Sequence, residues 1–178
     1  MNELSMLSMN ALHSLRNDYY ISNVQVLDPR TKLSTAVSLK LYKRYTVSQV
    51  RGYGAYGLVC SAIDSKTQTS VAIKRCSLSD DPRTLTLLLR EIKILKFMQG
   101  KHENIIHLRN LIKPESFEDF LKRREVSIVM ELKDMSLGDK ISSVFFSPLQ
   151  IQVLMYQLLS AVRFLHSVNV VHRDIVRF

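Results

Sequence analysis

Cysteine is scarce: only Cys60 and Cys76 occur in 178 residues. Both lie in apolar, strand-like stretches, and their spacing suits no metal site. That argues against a disulfide-stapled secreted scaffold and predicts reduced, buried thiols in a cytoplasmic or nuclear protein. Low-complexity tracts and repeats at a solenoid period are absent. Long apolar runs are missing too, because Gln, Ser, Lys or Arg interrupts each one, so no membrane span is expected. The first twenty residues have no unbroken apolar region and no basic start, which argues against a secretory leader. Glu3, with little Arg around it, argues against a mitochondrial one.

Apolar residues make up 46% of the chain and charged residues 23%, ordinary values for one domain with a real core. The net charge is +9. A basic surface can attract nucleic acid, anionic lipid or phosphorylated ligands. Here the Lys and Arg are scattered, the densest cluster is Lys122-Arg123-Arg124, and no aromatics alternate with them. A solvated charged surface is the expectation, with no nucleic-acid or membrane partner.

Residues 1–40 show weak periodicity, with a turn at Asp28-Pro29, and are expected to form a partly disordered or surface-packed extension. From Tyr45 the pattern sharpens. Residues 46–50 predict a strand, 51–57 a glycine-containing turn, 58–63 a second strand, 64–69 a polar turn and 70–75 a third strand, giving an antiparallel meander. A helix is predicted from about Thr84 to Gln99, started by Asp80, Asp81 and Pro82. Its Leu85, Leu87, Leu88, Leu89, Ile92, Ile94, Leu95 and Met98 cover one broad arc. Glu91 falls in the middle of that arc, where a lone carboxylate is costly, so a buried cationic partner is predicted. Strands near 105–111 and 126–131 follow, separated by a charged loop at 113–125. A short helix is expected over 137–144. A longer one runs from Pro148 to about His166, with Ser147 as N-cap and Gln150 completing a capping box. That helix is apolar on most faces, the pattern of a helix buried all round.

Three motifs carry chemistry. Gly52, Gly54 and Gly57 form G-x-G-x-x-G, followed by Val59. A dinucleotide-binding turn of this pattern opens a helix, whereas here the glycines lead into a strand, which places a hairpin over phosphates. Val71-Ala72-Ile73-Lys74 follows in the third strand. Ala72 and Lys74 share a face, so the small residue leaves room for a flat base and the lysine reaches phosphates. His172-Arg173-Asp174 comes after the apolar helix and the apolar stretch 169–171.

Together these motifs resemble the eukaryotic protein kinase family from about Leu41 to Ile175, and residues 44–46, 54–62, 89–95 and 102–105 look most like MAP kinases. The resemblance implies an α+β fold: residues 41–135 as the small lobe, an antiparallel sheet plus one helix, and 136–178 as the first helices of an incomplete large lobe. It implies ATP-dependent phosphoryl transfer to protein Ser or Thr, with Mg²⁺. Under it Arg51, Gly52, Tyr53, Gly54, Ala55 and Gly57 would cover the phosphates and the base, and Val59 and Ala72 would line the adenine site. Lys74 would hold the α- and β-phosphates, oriented by Glu91. Met130 resembles the gatekeeper, backbone groups of Glu131 and Lys133 would meet the adenine edge, and Asp174 matches the base that accepts the substrate's hydroxyl proton.

The chain also departs from the family. Arg51 stands where Ile or Leu usually roofs the adenine. Val176 and Arg177 stand where the family continues through Lys and Pro toward a Mg²⁺-binding Asn, and neither that Asn nor the later metal-binding Asp occurs. The sequence therefore predicts a truncated, inactive product of a MAP-kinase-like enzyme, with no metal ligands of its own. The alternative is a non-catalytic fragment that binds nucleotide or a partner. A protein substrate and an upstream kinase are the partners implied for the intact family, and association with chaperones is expected of the incomplete chain.

Overall fold

A computed structural model describes residues 18–27, 32–54 and 57–175. They fall into two compact units, one built from residues up to Lys93 together with Leu108–Leu132, the other from Ile94–His107 together with residues 133 onward.

In the first unit the fold is α+β, as the sequence predicts. Strands β3 (Tyr45–Gly54), β4 (Gly57–Asp64), β5 (Thr69–Ser77), β6 (Leu108–Ile112) and β7 (Glu125–Glu131) form one antiparallel sheet in the order β3-β4-β5-β7-β6. Alternation along the strands divides the sheet into two faces. Leu58, Cys60 and Ala62 of β4, Val71 and Ile73 of β5 and Val129 of β7 are buried together on one of them. Across the register, Val59 pairs with Lys74, Ala72 with Met130 and Lys74 with Ile128, so these residues share the other face.

The sequence pattern gave no strand before Thr46, but the structure has two. β1 (Tyr19–Leu27) and β2 (Ser34–Tyr42) form an antiparallel hairpin whose Val26, Leu39 and Leu41 join the buried cluster of the sheet. The Tyr20 hydroxyl donates to the Tyr45 carbonyl at 2.5 Å, and Lys40 pairs with Glu115 at 2.6 Å and Asp119 at 3.1 Å. Few of its residues are buried, and apolar ones such as Ile21 and Leu27 lie exposed, so its inward face reads weakly in a one-dimensional scan. Residues 1–17 and 28–31 lie outside the described residues, and so does the expectation for them.

Two carboxylate systems, one buried and one half-buried, brace this unit. Asp64, fully buried at the end of β4, accepts from Arg44 Nε at 3.0 Å and from the Lys66 amide at 3.0 Å. Its second oxygen pairs with Arg44 Nη2. The arginine holds the Asp64 carboxyl below its ordinary pKa, against an opposing push from burial. Glu125 pairs with Arg75 at 2.5 Å and Arg123 at 3.6 Å, tying β7 to β5.

Helix α1 (Pro82–Met98) starts as expected: Pro82 takes the first position, and the Asp81 side chain accepts the Arg83 amide at 2.9 Å. It ends beside Gly100, whose φ of +70° is the left-handed conformation that closes helices. Correcting the sequence reading, the segment 113–125 is not only a loop. It contains α2 (Phe117–Arg123), with Ser116 as N-cap accepting the Asp119 amide and Arg124 as a left-handed C-cap. Seven residues between two caps, about two turns, are too few to build a periodic signal.

In the second unit, α3 (Leu137–Ser143) and α4 (Pro148–Ser167) match their expected spans. The predicted capping box is present: Ser147 N donates to Gln150 Oε1 at 2.8 Å and Gln150 N donates to Ser147 Oγ at 3.3 Å. Within this unit His102 packs on α4. Its Nδ1 accepts the Asn104 amide at 3.1 Å, its Nε2 lies 3.1 Å from Ser160 Oγ, and its ring stacks on Phe164. The expectation of burial all round is not met within the described residues. Ala161 is the one buried residue of α4, while Leu149, Ile151, Val153, Met155, Tyr156, Leu158 and Leu159 are all exposed.

Candidate functional site

The glycine motif forms the tip of the β3–β4 hairpin. Gly52 pairs with Val59 and Gly54 with Gly57. The register shifts between Val50 and Gly52, so Arg51 is the extra residue of a β-bulge. A bulge twists a strand and re-aims the side chain it carries; here it also brings Gly52, rather than Arg51, opposite Val59.

The three glycines are held for different physical reasons. A Cβ built on Gly52 or Gly54 would meet nothing within 4 Å, so no neighbouring protein atom demands glycine there. Open backbone of this kind lets a ligand approach the amides closely. Gly57 is different. Its φ is +102°, and a Cβ there would lie 2.1 Å from the Arg75 carbonyl oxygen. Glycine at 57 is what lets the hairpin pack on β5. Ala55 lies outside the described residues.

Lys74 Nζ contacts Glu91 Oε1 at 2.7 Å, joining β5 to α1. The cationic partner that the apolar arc demanded is therefore present. The pair is not enclosed as deeply as expected. The Lys74 side chain is 18% exposed and that of Glu91 37%, because both border an open cavity of about 570 Å³.

Tyr53, Gly54, Gly57, Leu58, Lys74, Cys76 and Glu91 line that cavity together with Thr84, Leu87 and Leu88 of α1. The sequence reading placed these three in the helix, Leu87 and Leu88 on its apolar arc, but did not assign them to the site. Yet 84, 87, 88 and 91 follow i, i+3, i+4, i+7 spacing, so a stripe drawn through Glu91 would have found them. Burial pushes the Cys76 thiol up to about 11, so it stays protonated at neutral pH and presents an inert, weakly polar wall. The Cys60 thiol, buried in the sheet core, is likewise raised to about 11.

The remaining expected residues are placed as follows. Val59, Ala72 and Met130 lie on the sheet face that carries Lys74, outside the cavity walls, with Glu131 directly following Met130. Arg51 and Gly52 are exposed on β3. Lys133 and Asp174 belong to the second unit. Asp174 is exposed, and its amide donates to His172 Nδ1 at 3.3 Å. Between them, Arg173 adopts φ +63°, a left-handed conformation that costs a non-glycine residue energy and recurs at functional turns.

The fit to a nucleotide is mixed. Two open glycines, a lysine oriented by a carboxylate and a cavity beside them suit a polyphosphate. A Mg²⁺ site is not supported: among the described residues, no group of three or more His, Cys, Asp or Glu side chains could hold a metal ion.

Comparison with known proteins agrees with this geometry. The protein kinase domain model matches residues 45–176. A mitogen-activated protein kinase of Fusarium vanettenii is 35% identical over 147 residues, covering 83% of this chain and 40% of that protein. Extracellular signal-regulated kinase 1 of Dictyostelium discoideum is 42% identical over 141 residues, 75% of this chain and 25% of that protein. Mitogen-activated protein kinase 5 of Arabidopsis thaliana is 39% identical over 126 residues, 70% of this chain and 32% of that protein. The chain belongs to the protein kinase domain family and, within it, is MAP-kinase-like. It spans at most about two-fifths of the length of these relatives.

Proposed function

We propose that the first unit is the nucleotide-holding half of a MAP-kinase-like Ser/Thr kinase, and that the whole enzyme transfers the γ-phosphoryl of ATP to protein hydroxyls. The observation that carries this reading is the Lys74–Glu91 pair beside the glycine hairpin. Glu91 fixes the ammonium where it can meet two phosphates at once, and the open amides around Gly52 and Gly54 add neutral donors. Asp174 is assigned the role of accepting the proton of the acceptor hydroxyl. Val59, Ala72 and Met130 are assigned to the adenine, with Arg51 laying its aliphatic stem over the base. Protein substrates and an upstream kinase are proposed for the whole enzyme.

A polypeptide of residues 1–178 alone is proposed to be catalytically silent. Phosphoryl transfer depends on metal ions that neutralise the moving charge, and among the described residues no group of three or more His, Cys, Asp or Glu side chains could hold one. The apolar surface of α4 favours a second role for such a polypeptide, association with a partner or a chaperone.

Calorimetry with ATP tests the reading. Weak binding that is insensitive to Mg²⁺ is expected, together with its loss on Lys74→Met. Replacing Arg51 with Ile should tighten binding, since an apolar roof contacts the base more fully. Binding that strengthens sharply with Mg²⁺, or that survives Lys74→Met unchanged, would overturn it.

A further inference from the structure

The segment between α3 and α4 has chemistry that nucleotide binding does not use. Val144 closes α3 in an extended conformation, with φ −140° and ψ 137°. Phe145 follows with its side chain fully in solvent. Ser147 is extended, with φ −67° and ψ 157°, and both it and Pro148 are exposed. Ser147-Pro148 is the one place in the chain where proline follows a Ser or Thr. Extended backbone at Val144 and Ser147, a bare aromatic ring at Phe145 and a hydroxyl followed by proline thus lie together just ahead of α4.

That combination suits the active site of a protein kinase acting in trans. An acceptor segment must lie extended for its hydroxyl to reach the phosphoryl group in line. Proline in the next position has no N–H to leave unsatisfied in an apolar pocket, and its φ is fixed in advance. Phe145 supplies an apolar anchor two residues before the hydroxyl.

We propose that Ser147 is a phosphorylation site for a proline-directed Ser/Thr kinase. In the step, the Ser147 oxygen bonds to the γ-phosphorus of ATP, and the bond from that phosphorus to the β–γ bridging oxygen breaks. ADP leaves, and the hydroxyl proton passes to the modifying enzyme's base. The product places a near-dianionic phosphate at the start of α4, where Ser147 Oγ already accepts the Gln150 amide at 3.3 Å. The phosphoryl oxygens take over as acceptors for the first-turn amides, and negative charge there is favoured by the helix dipole. Modification therefore tightens the start of α4 rather than melting it. The proposal is independent of nucleotide binding by this chain, which serves only as acceptor.

The test incubates the 178-residue chain with ATP and a purified proline-directed kinase and locates phosphate by mass spectrometry. One phosphate on Ser147 is expected, at an initial rate within about tenfold of a peptide spanning residues 142–150, because the opening required is confined to the capping box and first turn of α4, and helix ends fray at little cost. Ser147→Ala should abolish incorporation. Pro148→Ala keeps the hydroxyl and the cap, and should lose most of the rate. Amide exchange at Gln150 should slow roughly two- to fivefold in the phosphorylated chain, the equivalent of a favourable helix-terminal charge. Incorporation elsewhere, indifference to Pro148→Ala, a rate more than about a hundredfold below the peptide's, or faster exchange at Gln150 would each overturn the proposal.

Discussion

Strand β5 and helix α4 are both rich in apolar side chains, but the protein treats them in opposite ways. In β5, Val71 and Ile73 vanish into a core that β4, β7 and the β1–β2 hairpin complete. In α4, Tyr156 is 72% and Leu159 59% exposed. Apolarity in a sequence states that a surface wants cover; it does not state which part of a chain supplies it. The sheet finds its cover among residues close in the fold, and the described residues contain no equivalent for α4.

The contrast predicts where substitutions will hurt. The largest effect belongs to the hairpin seat on β5. Gly57→Ala forces a Cβ against the Arg75 carbonyl in a backbone conformation that L-residues avoid. Strain and overpacking together should cost about 3–5 kcal/mol, read as a lower denaturation midpoint. Gly52→Ala and Gly54→Ala meet open space and should leave the midpoint unchanged or raise it slightly, while weakening ATP binding. Equal destabilisation at all three positions would show that the glycines are structural throughout.

A smaller loss is expected from Arg44→Leu. It strands the buried Asp64 carboxylate, which keeps the Lys66 amide and the Thr67 hydroxyl but loses its one cationic partner among the described residues. Breaking a buried pair costs about 3–5 kcal/mol, and because Arg44 is partly exposed the expected loss is about 2–3 kcal/mol. The pH dependence has a definite sign. The folded Asp64 pKa is lowered, so its contribution is complete above the unfolded value of about 4 and is lost as pH falls through the folded value. In Arg44→Leu that acid-side loss should flatten. An unaltered acid limb would remove Asp64 from the account.

Much of this was legible in the sequence, for identifiable reasons. The meander from Tyr45 to Ser77 shows because strands with alternating faces and polar turns carry a period of two. The Lys74–Glu91 pair shows because a carboxylate in an apolar arc needs a partner. The β1–β2 hairpin was missed because its buried residues are few. Helix α2 was missed because seven residues between caps leave no period to detect. The cavity wall at Thr84, Leu87 and Leu88 was overlooked because the apolar arc of α1 is so broad that no single stripe stood out.

A small expected change in stability on α4 tests the contrast most directly. Double substitution Tyr156→Lys and Leu159→Lys places two charges on surface that the fold leaves open. Side chains already in water lose no burial when replaced, so the unfolding free energy should move by no more than about 0.5 kcal/mol. Association should respond far more. An uncovered apolar helix face is a surface that monomers rarely tolerate, so the unsubstituted chain is expected to run as oligomers or aggregates in size-exclusion chromatography. The double variant should shift toward monomer, since charge breaks the patch and adds repulsion between copies. A chain that is already monomeric, or a double variant that loses its cooperative unfolding transition, would mean that α4 is covered in solution. The difference between the sheet and the helix would then be one of degree.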